Sequence, residues 1–76
     1  MRHIYVGNIG FLMSEAALRS HFEVFGQVKG VRARWNFAII EMNDDKAAER
    51  AVYELNSRTT WVLRRSEPPF TEVGAA

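Results

Sequence analysis

Apolar and exposed positions alternate along Ile4-Tyr5-Val6-Gly7-Asn8-Ile9, the pattern of a half-buried strand. Successive side chains on a strand point to opposite faces, so Ile4 and Val6 turn into a core while His3, Tyr5 and Gly7 turn outward. The period then lengthens. Ala17, Leu18, His21, Phe22 and Phe25 share one face at helical spacing. Ser14 stands at the N-cap, Glu15 in the first turn, and Gly26 at the C′ position where helices commonly stop. Two strand-like stretches follow, about 27–33 and 37–42. In the second, Ala38, Ile40 and Met42 face inward and Phe37, Ile39 and Glu41 outward. The link through Arg34-Trp35-Asn36 is short enough for a hairpin, and Asn36 tolerates a left-handed turn conformation. A second helix is written by Asn43 or Asp44 as cap and by Ala48, Ala51, Val52 and Leu55, with Asn56 closing it. Trp61, Val62 and Leu63 mark a last strand over about 59–64, and Pro68 and Pro69 then end regular structure.

The order strand, helix, strand, strand, helix, strand predicts an α+β domain. Short connections and right-handed crossovers assemble it as a ferredoxin-like βαββαβ plait: a four-stranded antiparallel sheet with both helices on one face. The other face stays bare, and function is expected there. The domain is expected to run over 2–66, with 67–76 as a C-terminal tail.

A chain of 76 residues suffices for one small domain. Hydrophobic residues at 47% and charged residues at 25% are the balance of a globular protein, not a disordered one. Without cysteine there are no disulfides or thiolate metal sites, and His3 and His21 alone make no zinc site, so no metal or other cofactor is expected. No apolar run approaches a membrane span and nothing resembles a signal peptide, which predicts an intracellular protein, cytoplasmic or nuclear, without a membrane partner. The net charge of +1 hides a segregation. Lys29, Arg32 and Arg34 lie in an acid-free stretch, as do Arg58, Arg64 and Arg65, whereas Asp44, Asp45, Glu49 and Glu54 gather on the second helix. Basic strands and an acidic helix are a footprint of a polyanion partner, or a chance segregation of solvated side chains.

With that order in place, the first strand resembles the RNP2 motif of the RNA recognition motif family, with Tyr5 as its outward aromatic. The stretch Trp35-Asn36-Phe37-Ala38-Ile39-Ile40-Glu41-Met42 resembles a degenerate RNP1 octamer: Phe37 matches a stacking aromatic, Ala38 the small residue and Ile40 the core position. Phe22, Phe25 and Gly26 are similar to the end of the family's first helix, and Ala48, Ala51, Val52, Leu55 and Asn56 to its second. The chain departs from the family at Trp35, where Arg or Lys is usual, at Asn36 for Gly, at Ile39 for the second stacking aromatic and at Met42 for an aromatic. The resemblance implies single-stranded RNA as partner, bound on the sheet, with neither catalysis nor cofactor. Single-stranded DNA stays open as an alternative.

Under that resemblance the candidate RNA-binding residues sort by chemistry. Tyr5 and Phe37 stack bases, or else pack on one another and only stabilise the sheet. Ile39 offers apolar contact without a π-face. Trp35 either supplies a further ring at the sheet edge or covers the hairpin turn. Arg32 and Arg34 alternate with Val31 and Ala33 and so share the outward face, where they neutralise phosphates. If Trp61 and Leu63 are core, Arg64 and Val62 join that face. Asn8 closes the first motif and organises the loop after it, and His3 stacks or hydrogen-bonds at the sheet edge, or is simply an exposed strand-end residue. Phe70 either crosses the sheet or belongs to a disordered tail.

The rival reading is a protein-interaction or dimerisation module built on the apolar strip of Tyr5, Phe37 and Ile39. An Arg-x-Phe loop before the last strand marks the family's peptide-binding variant, and Arg58-Thr59-Thr60 lacks its aromatic. The stretch Gly26-Gln27-Val28-Lys29-Gly30-Val31 is similar to the acylphosphatase phosphate cradle, but it follows a helix rather than the first strand, and the chain is read as no enzyme.

Overall fold

The computed structural model describes residues 2–10 and 13–66. Its elements run β1 (His3–Gly7), α1 (Glu15–Glu23), β2 (Val28–Arg34), β3 (Phe37–Met42), α2 (Asp45–Arg58) and β4 (Val62–Arg65). The strands form one antiparallel sheet in the order β2-β3-β1-β4. This is the expected βαββαβ plait. The tail over 67–76, with Phe70, lies outside the described residues.

Register explains the core. Val6 pairs with Ala38 on one side and Leu63 on the other, and Ile4 pairs with Ile40. These inward side chains, with Val28 and Met42, meet Leu18 and Phe22 of α1 and Ala47, Ala48, Ala51 and Leu55 of α2 in a single buried cluster. Burying a large apolar side chain is worth about 1.5–3 kcal/mol, so the six wholly or nearly wholly buried large residues of the strands, Ile4, Val6, Val28, Ile40, Met42 and Leu63, anchor the sheet to its helices. Trp61 packs against the cluster and meets His21 edge-on, with centroids 5.1 Å apart. The register of β4 therefore puts Leu63 inward and Val62 and Arg64 outward.

The helix starts are capped as the sequence predicts. Ser14 accepts from the Ala17 N–H at 3.1 Å and Asp44 from the Ala47 N–H at 2.9 Å. Their ends differ from expectation. Gly26 is no left-handed stop: α1 ends at Glu23, and the Phe25 N–H turns back to the Phe22 carbonyl at 3.0 Å. The reason for a glycine is steric, since a Cβ there would stand 2.7 Å from the Cβ of Ala47. Likewise, Asn56 does not close α2, which continues to Arg58. Its side chain grips β4, donating to the Leu63 carbonyl and accepting from the Leu63 N–H, both at 2.9 Å. Thr59 ends the helix instead, its N–H and hydroxyl both bonding the Leu55 carbonyl, which delays the start of β4 to Val62. β2 also runs one residue further than read, to Arg34, leaving a two-residue turn of Trp35 and Asn36.

Candidate nucleic-acid interface

Pairing lays the outward residues in rows across the strands. The row nearest the β2–β3 turn reads Arg34, Phe37, Gly7, Val62, and the middle row reads Arg32, Ile39, Tyr5, Arg64. The third reads Gly30, Glu41, His3. β1 and β3 are the inner strands, so Tyr5, Phe37 and Ile39 form an apolar centre flanked on each side by arginines.

The Tyr5 and Phe37 rings lie with centroids 5.8 Å apart and planes inclined by only 23°, an offset, near-parallel pair. The rings pack on one another, and Phe37 remains 36% exposed on the outward face. The guanidinium of Arg64 sits 4.6 Å from the Tyr5 ring centroid, within cation–π range. Gly7 leaves room for the Tyr5 ring beside it.

Asparagines shape the rim. Asn8 takes a positive φ of 62° and donates from Nδ2 to the Thr60 carbonyl at 3.0 Å, tying the loop after β1 to the approach to β4. Asn36, at φ 65°, adopts the left-handed conformation expected of it and accepts from the Gly10 N–H at 2.9 Å. Trp35 projects from this turn with 73% of its surface exposed. Arg34 donates to the Ala33 carbonyl at 3.0 Å. His3, half-buried, is the first residue of the inner strand β1, the strand-end position given as its alternative, with Nε2 3.7 Å from Oε2 of Glu41.

The segregation of charge carries through to three dimensions. The four strands contain Lys29, Arg32, Arg34, Arg64 and Arg65 against a single acid, Glu41. A bulge between Val28 and Gly30 lets Lys29 reach that acid, with Nζ 3.8 Å from Oε2. Beside it is a shallow hollow of ≈ 250 Å³ lined by His3, Gly30, Val31, Arg32, Ile39 and Glu41. Alternation already turned Glu41 outward. As the lone acid of the strands, it is marked out in the sequence as a residue of this hollow. Among the described residues no cluster of His, Asp and Glu could hold a metal ion, and no helix is long and apolar enough to cross a membrane.

A basic sheet with an aromatic pair at its centre, backed by two helices, is the architecture of a nucleic-acid-binding plait. The family model for the RNA recognition motif matches residues 4–61. RbpD of Nostoc sp. is 37% identical over 71 residues, covering 82% of this chain and 73% of its own length. A serine/arginine-rich splicing factor of Arabidopsis thaliana, RS31A, is 34% identical over 86% of this chain, which spans only 26% of that protein. The solved RNA recognition motif domain of S. pombe Puf1 superposes with a TM-score of 0.79 at 24% identity, covering 87% of this chain and 97% of that one, a likeness of fold. The chain belongs to the RNA recognition motif family, and is an RNA-binding module of that class.

Proposed function

We propose that the outward sheet face binds a short single-stranded RNA, two or three nucleotides deep. Tyr5 and Phe37 stack bases, Ile39 adds apolar contact, and Arg32, Arg34 and Arg64 neutralise phosphates. Trp35 extends the surface at the turn, His3 contributes at its far end, and Asn8 holds the rim rather than reading a base. The observation that carries this reading is the near-parallel Tyr5–Phe37 pair on the two inner strands, open to solvent between arginines. The names of relatives support it too, since one is a splicing factor and the Nostoc protein is named for RNA binding. The domain of 2–66 acts as a binding module without catalysis or cofactor, in an RNA-bearing cytoplasm or nucleus. One domain with one aromatic replaced by Ile39 binds weakly, so a tandem domain or second copy raises useful affinity.

The test is titration of Tyr5→Ala/Phe37→Ala with short RNA. Each stacked ring is worth about 1–3 kcal/mol, so binding should vanish while the thermal melt stays cooperative. Unchanged affinity overturns the platform. Single-stranded DNA titrated alongside measures the preference for RNA. Association through the apolar strip with a protein or a second copy would instead show little dependence on salt, whereas nucleic-acid binding weakens steeply with it.

A further inference from the structure

We infer that the hollow beside Ile39 is a base-reading pocket in which the Glu41 carboxylate selects guanine. This rests on the sheet face being the RNA surface proposed above.

The starting point is a misfit. Glu41 is the lone acid in four basic strands, on the face proposed to hold a polyanion. A carboxylate there repels phosphates and weakens binding of every sequence alike. Its contacts offer no sufficient structural reason for it. Lys29 Nζ at 3.8 Å and His3 Nε2 at 3.7 Å are beyond hydrogen-bonding distance, and all three side chains are partly exposed. Both approach Oε2, one of the two oxygens at which a carboxylate accepts.

The surroundings suit one base. Ile39 gives an apolar wall, and Gly30 contributes no side chain, with nothing within 4 Å of where its Cβ would be. At ≈ 250 Å³ the hollow falls just short of the roughly 300–1,000 Å³ usual for drug-sized ligands, a size for a single ring system. It adjoins Tyr5 through the pairing of Tyr5 with Ile39, so a base lodged there is next in line to one stacked on the ring.

The polar groups name the base. Single-stranded RNA exposes Watson–Crick edges to side chains. Guanine alone presents two adjacent donors on that edge, N1–H and the N2 amino group, which match the two oxygens of a carboxylate. On its other edge O6 and N7 accept, and Arg32, one row along from Glu41 on the neighbouring strand, lines the same hollow as a donor. Adenine and cytosine each offer an amino group beside an acceptor, which faces a carboxylate oxygen with a lone pair. Uracil offers a single donor between two acceptors.

Fluorescence anisotropy with labelled pentaribonucleotides tests this, using four uridines around a central guanosine, inosine, adenosine, cytidine or uridine. The guanosine RNA should bind roughly tenfold tighter than the adenosine RNA, with inosine, which lacks the N2 amino group, in between. Glu41→Gln should bring the guanosine-to-adenosine ratio to about one, with amide NMR spectra showing the fold retained. A wild-type protein that binds all five RNAs equally, or prefers cytidine, overturns the guanine assignment and leaves the platform standing. So does a ratio unchanged in Glu41→Gln. Failure to bind any of the five removes the platform and the pocket together.

Discussion

The ring of Tyr5 lies across Gly7: a methyl group built on Gly7 would stand 2.8 Å from Cε2 and 2.9 Å from the hydroxyl oxygen of that ring. Contacts that short do not occur, and the tip of a surface side chain yields more easily than a strand. Gly7→Ala should therefore fold normally but displace the Tyr5 ring from Phe37, across the sheet from Gly7. We expect RNA affinity to fall by about 1–3 kcal/mol, as for loss of one stacked base, with little change in melting temperature. Tyr5 and Phe37 ring-proton shifts report the displacement directly. Wild-type affinity in the variant would separate Tyr5 from the binding surface.

Gly26→Ala meets a different obstacle. The atom 2.7 Å away is the Cβ of Ala47, which is buried and has no rotamer by which to move. Overpacking of this kind costs about 1–3 kcal/mol. In a domain of this size each 1 kcal/mol lowers the melting temperature by about 4–8 °C, so differential scanning calorimetry should show a clear drop.

Asn56→Ala removes both hydrogen bonds that hold Leu63. Stranding those backbone groups costs about 1–3 kcal/mol. Asn56→Asp keeps the acceptor for the Leu63 N–H but loses the donor for its carbonyl, and should fall between. Amide hydrogen exchange should accelerate first in β4, the short edge strand that carries Arg64. Exchange faster everywhere by the same factor would instead mean that β4 opens only with the whole domain.

Arg32→Ala/Arg34→Ala should flatten the salt dependence of RNA binding. For a single strand each phosphate contact contributes about 0.7 to the slope of log affinity against log salt, so losing two lowers it by about 1.4. A slope equal to wild type would take both arginines out of phosphate contact.

Periodicity carried the fold. Strict alternation in β1 and β3 identified Ile4, Val6, Ala38, Ile40 and Met42 as core, and each is buried without remainder. It also turned Tyr5, Phe37 and Ile39 to the open face. Ser14 and Asp44 were legible as caps because capping is local chemistry. Gly26 and Asn56 differ from expectation because each answers to a residue of another element. A glycine near a helix end reads as a conformational stop until Ala47 is seen beside it, and an asparagine near another end reads as a terminator until Leu63 is found between its two amide atoms. The register of β4 had the same origin. It depended on whether Trp61 packs inward, which rests on its contact with the core and with His21.

The guanidinium over Tyr5 has a consequence for the protein without its ligand. A flat aromatic patch left wet invites self-association, the usual fate of contiguous exposed apolar surface. Arg64 shields that ring with a group that water solvates readily and that an arriving base can push aside. On the proposed binding mode its charge, once displaced, would lie beside the incoming strand, so the residue that covers the empty ring would become a tether for the cargo.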